Sequence, residues 1–195
     1  MKRWVPLVII FFVFLIGCGE KAEQQAPPKE VKKEVKVDPK VEKLAKFGAE
    51  LKETAKVGVE ISWEKSEELA KTLLLVLPET TGDLAGMEWE MSCSKNKDEG
   101  DMLFTANLNR KKGEETETAM WFHILYNPHL TKEERDDYGT ETFEGFKATV
   151  AEKAHLWVLV NNTEIRGVAD AEDFKDDAKI KAVLQKFNFK EIEKF

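Results

Sequence analysis

Cys93 and the three histidines, His123, His129 and His155, are the side chains best suited by type to nucleophilic, acid–base or metal chemistry. A cysteine beside a histidine would make a nucleophile and its base. Met87, Trp89, Met91 and Cys93, however, alternate with Glu88, Glu90, Ser92 and Ser94. That period of two puts Cys93 on the apolar side of a strand, as a small buried hydrophobe. His123 falls within the apolar stretch 118–126, on the side of Ala119, Trp121 and Leu125. A core or rim histidine satisfied by a hydrogen bond is expected there. His129 precedes Glu133, Glu134, Asp136 and Asp137, and imidazole with carboxylates is a reasonable cation set. But no HxxxH or EF-hand spacing accompanies it, and acids gather at helix starts for electrostatic reasons alone. His155 opens a strand without an obvious partner. No GxSxG elbow, phosphate-cradling glycine loop or framed pair of carboxylates is present. The reading is non-catalytic, with no catalytic, cofactor or metal residue assigned.

A different kind of chemistry is written at the start of the chain. Lys2 and Arg3 precede the apolar run 4–16, broken only by Pro6 and followed by Gly17 and Cys18. A positive segment, an apolar core too short to span a bilayer comfortably and a small residue at the exit form a secretory signal peptide. Its last residues, Leu15-Ile16-Gly17-Cys18, resemble the lipobox of bacterial lipoproteins. The resemblance implies that residues 1–17 are removed and that Cys18 carries a diacylglyceryl group on its sulfur. Its new amino group would then be open to a further acyl chain such as palmitate. Buried acyl chains contribute about 0.8 kcal/mol per methylene, so two or three hold firmly where one holds marginally. An aspartate after the cysteine commonly retains Gram-negative lipoproteins in the inner membrane. Gly19 stands there instead, which favours the outer membrane if the host is Gram-negative.

The remaining composition suits a polar globule. The 195 residues are 42% hydrophobic and 34% charged, enough for one domain with a real core after a leader and a tether. Without Lys2 and Arg3 the chain has 28 basic and 37 acidic residues, a net charge of −9. That balance argues against nucleic-acid binding and against electrostatic docking on anionic lipid. Membrane attachment is therefore expected through the lipid on Cys18. With Cys18 modified, Cys93 is the sole remaining thiol and no internal disulfide is available. Residues 18–37 read as a lipidated disordered tether, because after Cys18 they hold Pro27-Pro28, interleaved Lys and Glu, and no aromatic residue. Residues 38–195 read as a single domain.

The elements of that domain follow from periodicity. Asp38 as cap and Pro39 at the first helical position start a helix to about Lys56, with Val41, Leu44, Gly48, Leu51 and Ala55 along one face. A second helix is predicted from Trp63 to Val76, with Ser62 as cap and Pro78 beyond its end. Strands follow over 87–94, 102–109 and 118–126, separated by polar turns, the second being Arg110 to Glu117. The third is apolar on both sides and so expected to be central. Thr131-Lys132-Glu133-Glu134 is a capping-box pattern for a short helix. Further strands are predicted around 146–150, 155–160 and 164–169, and a last helix over 176–187. Phe189, Ile192 and Phe195 are expected to pin the tail to the body.

This order predicts an α+β fold, an antiparallel sheet of about five to six strands packed by amino-terminal helices and a carboxy-terminal helix. Residues 63–195, with Leu77-Pro78 ending a helix and Lys186-Phe187-Asn188-Phe189-Lys190 ending the last one, are similar to domains of bacterial lipoproteins that carry no catalytic motif. The implied protein is a lipid-anchored envelope lipoprotein facing away from the cytoplasm. Its binding or scaffold domain would engage an envelope protein partner and use no cofactor. A small-ligand or lipid binder, with Trp89, Trp121, Phe122 and Trp157 lining a cleft, is the alternative. An enzyme of unrecognised type is the third reading. It needs the histidines and Cys93 gathered in one pocket.

Overall fold

The computed structural model describes residues 39–151 and 155–195. The expectations for the leader, for Cys18, for the tether and for the Asp38 cap lie outside them. Two helices come first, α1 (Pro39–Thr54) and α2 (Trp63–Leu73), the latter continuing as a single 3₁₀ turn to Val76. Ser62 caps α2 by accepting a hydrogen bond from the Lys65 amide at 3.2 Å, a contact generally worth about 1 kcal/mol. The strands are β1 (Met87–Lys95), β2 (Met102–Lys112), β3 (Glu115–Tyr126), β4 (Glu141–Phe143), β5 (Phe146–Ala151), β6 (His155–Val160) and β7 (Thr163–Ala169). Between β3 and β4 lies α3 (Lys132–Asp137), and α4 (Asp177–Leu184) and α5 (Phe189–Ile192) close the chain.

All seven described strands join one open antiparallel sheet in the order β1-β2-β3-β7-β6-β5-β4. The α+β class is as expected, but the strand count is seven rather than five to six. The additional strand is β4, three residues folded back on β5 through Glu144 (φ 51°) and Gly145 (φ 86°). Two successive positive φ values suit the tight hairpin turn that matches strand twist. Three residues are too few to display an alternation, and the usual Asn-Gly or Asp-Gly signal is replaced here by Glu-Gly. The hairpin between β2 and β3 is also longer than expected. Lys112 pairs with Glu115, leaving Gly113 (φ 71°) and Glu114 as the turn in place of the whole stretch 110–117. Likewise β3, expected to be central, is interior, paired with β2 and β7, whereas β7 is the middle strand.

Register divides the residues into two faces. Cross-strand partners share a face, so Cys93, Phe104, Ile124, Ile165, Val158 and Ala148 lie on one side. Four helices cover that side. Phe47 of α1 meets Phe104 with ring centroids 6.2 Å apart, and Phe187 after α4 lies 5.1 Å from Phe122 and 6.3 Å from Trp89. Phe189 of α5 reaches Phe143 and Phe146. The tail is pinned as expected, Phe189, Ile192 and Phe195 all being buried. Gly167 on β7 lets the helix layer close down. A Cβ built there would stand 2.8 Å from Phe122 and 3.1 Å from Ile180 of α4.

Candidate binding face

No described helix covers most of the second face of the sheet. It carries Glu90, Asn107, Trp121, Val168 and His155 in one cross-strand row, and Ser92, Thr105, His123, Arg166, Trp157 and Thr149 in the next. Of these, Glu90 and Ser92 at the β1 edge are exposed and the others half-buried. A third row, through Leu103, Leu125, Glu164 and Leu159, is partly roofed by the segment around α3. That roof is fixed in place. Thr131 and Glu134 form the expected capping box, and Arg135 donates to Asn162 at 2.8 Å. The Tyr138 hydroxyl donates to Glu164 at 2.8 Å.

A linked set of side chains occupies the middle of the open face. The rings of Trp121 and His123 stand 4.3 Å apart between centroids. Arg166 is the cross-strand neighbour of both His123 and Trp157, and its guanidinium lies over the Trp157 ring, 4.8 Å from the centroid. Arg166 Nε also donates to Glu164, whose other carboxylate oxygen accepts from Tyr138. Burial, then the charge of Arg166, pushes the His123 pKa below its ordinary 6.5. The imidazole is therefore neutral at pH 7 and able to donate and accept one hydrogen bond each. Burial, reinforced by the Glu164 charge, pushes the Tyr138 hydroxyl up, so it stays a neutral donor. Chemically this is a surface of aromatic rings, amide and hydroxyl groups and one stacked cation. Such a set suits recognition.

The residues singled out from the sequence are not gathered in one place. Trp121, His123, His155 and Trp157 share the open face, but Trp89 and Phe122 belong to the helix-covered core. The expected four-aromatic cleft is thus divided by the sheet itself. Cys93 is also on the helix side, and burial pushes its thiol up to about 12. It cannot pair with His123 through the sheet. His129 sits near the turn before β2, where a Cβ on Gly100 would lie 3.5 Å from its Nε2. Its charge acts on Asp101 beside that turn. Among the described residues no three His, Cys, Asp or Glu side chains converge as a metal site. No described helix is long and apolar enough to cross a membrane.

Arg166, Thr105 and Asn107 were not singled out by sequence reasoning. Arg166 opposite Trp157 follows from the two-residue Asn161-Asn162 turn, which sets the β6–β7 register. The pairing of β3 with β7, which brings His123 beside Arg166, spans some forty residues and leaves no local mark. Elsewhere, a depression of about 440 Å³ is bordered by Arg110, Asp173 and Phe174. Arg110 there is already bound to Asp173 at 2.6 and 2.7 Å and to Glu117 at 2.9 Å. Another of about 530 Å³ runs between α1 and α2, with Lys43, Lys46, Glu50, Glu64, Glu68 and Lys71 along it. Comparison with known protein families, curated proteins and solved structures returns no match.

Proposed function

We propose that this chain is an extracytoplasmic envelope lipoprotein whose body is a non-catalytic binding domain for a protein partner. Lipid on Cys18 holds it to the membrane, and residues 19–37 space the body from the headgroups. The attachment rests on the Leu15-Ile16-Gly17-Cys18 lipobox and favours the outer membrane in a Gram-negative host. One structural observation supports the binding role: four helices cover one face of the sheet and leave the row of His123, Arg166 and Trp157 half-exposed on the other. Tryptophan and arginine are the residue types that most often dominate protein interfaces. Antiparallel sheets do tolerate a wet face, but such a face is ordinarily polar throughout, and this one holds Trp121, Trp157 and Val168 in the rows outside the α3 roof.

A photo-crosslinking residue at Thr105, in the middle of the open face, tests this in intact envelopes. A discrete protein adduct is expected from position 105, and none from Ala45, exposed on the outer side of α1. Adducts of equal yield from both positions, or none from position 105, would count against the reading.

A further inference from the structure

The exposed large apolar side chains of the described residues are Val57, Val59 and Trp63, at 55, 39 and 72% exposure. They fall within seven consecutive residues, Val57 and Val59 in the connection from α1 to α2 and Trp63 at the first position of α2. This connection is built rather than slack. The Lys95 ammonium, reaching from the end of β1, donates to the carbonyls of Thr54, Lys56 and Val59, the last two at 2.7 and 2.6 Å. Three donated bonds use all three ammonium hydrogens. The Gly58 amide is fixed as well, donating to the Lys97 carbonyl at 2.8 Å. The backbone around Val57 and Val59 is therefore fixed, and both side chains remain exposed on it.

We propose that Val57, Val59 and Trp63 form a second membrane contact, a shallow lipid-docking tip that orients the tethered body on the bilayer. This rests on the lipid-anchor reading. Two observations select lipid as the occupant. Three side chains fall far short of the roughly 800 Å² per partner of a stable protein interface, whereas a few interfacial residues suffice once a protein is already held at a bilayer. The twenty residues between Cys18 and Pro39 span at most about 70 Å. The 16-residue α1 is only about 24 Å long, well within that limit, so chain length allows lipid on Cys18 and the tip to meet one bilayer. At the rim, Lys56 pairs with Glu53 at 2.6 Å and Lys97 with Glu60 at 3.7 Å. Both rim lysines are thus paired and the Lys95 charge is held by carbonyls, so the tip docks through apolar contact, with tryptophan at the headgroup level where it partitions best.

The test uses the mature chain reconstituted in vesicles of zwitterionic lipid with bromine-labelled acyl chains, compared with Trp63→Phe. The difference between the two emissions reports Trp63 alone, and a side chain this exposed is replaced without disturbing the core. Docking predicts that the Trp63 emission shifts to the blue and is quenched by the labelled lipid. It also predicts that the quenching survives high salt and is lost in the Val57→Ser, Val59→Ser double variant. Trp63 emission unchanged by labelled lipid overturns the proposal. The intact mass of the same preparation reads the anchor separately. If Cys18 is unmodified, its thiol is coupled to a maleimide lipid in a Cys93→Ala background, because Cys93 is half-buried and borders Val59 and Trp63, and the quenching is measured from the same attachment point.

Discussion

Arg166 lies over the ring of Trp157 at 4.8 Å while its Nε is held by Glu164, so a cation is stacked and oriented in the middle of the sheet face opposite α1, α2, α4 and α5. A stacked cation at a half-exposed site contributes about 0.5–1 kcal/mol. Arg166→Ala is therefore expected to leave the fold intact and lower the urea midpoint only slightly. The same change should abolish the crosslink from position 105. A large loss of stability together with an unchanged crosslink would assign Arg166 a structural role instead.

His123 makes stability depend on pH in a defined window. Its pKa is lowered on folding from 6.5 by burial and by Arg166, so the unfolded chain takes up a proton first as the pH falls. Stability is then level above about 6.5 and declines as the pH drops below that value. Glu134 is held below its ordinary 4.5 by hydrogen bonds from Thr131 and loses its contribution only at lower pH. Urea unfolding between pH 7.5 and 5 should show the decline, and His123→Gln should flatten it. An equal slope in that variant would contradict the assignment.

Cys93 should behave as an inert thiol. Burial pushes it up to about 12, leaving little thiolate for reaction at pH 8. A disulfide-exchange reagent is expected to titrate it slowly in the native protein and rapidly in urea. A lipidated chain should show no fast thiol at all, because Cys18 is blocked.

Gly167 sets the approach of α4 to the sheet. An alanine Cβ would meet Phe122 at 2.8 Å and Ile180 at 3.1 Å, and overpacking of this kind typically costs about 1–3 kcal/mol. Gly167→Ala should lower the thermal midpoint clearly. Ala45→Gly on the exposed side of α1 should cost no more than about 1 kcal/mol, the helix-propensity difference.

Local chemistry explains which features were legible in the chain and which were not. Ser62 and the Thr131–Glu134 box act within four residues, and both caps are read directly from residue type. The alternations around Met91 and Phe104 displayed their strands for the same reason. Phe47, fully buried in α1, was omitted from the expected stripe although it stands three residues from Leu44. β4 was hidden by its length. The open face was hidden more deeply. Alternation assigns residues to two sides of a strand, but only tertiary packing decides which side receives the helices. Trp121 and Phe122 are neighbours in sequence and lie on opposite faces.

The intact mass of the mature protein extracted from membranes tests the account most directly. We expect a chain beginning at Cys18, heavier than its polypeptide by a diacylglyceryl group, with or without a further acyl chain. A chain that keeps residues 1–17, or one with an unmodified thiol at Cys18, would contradict it.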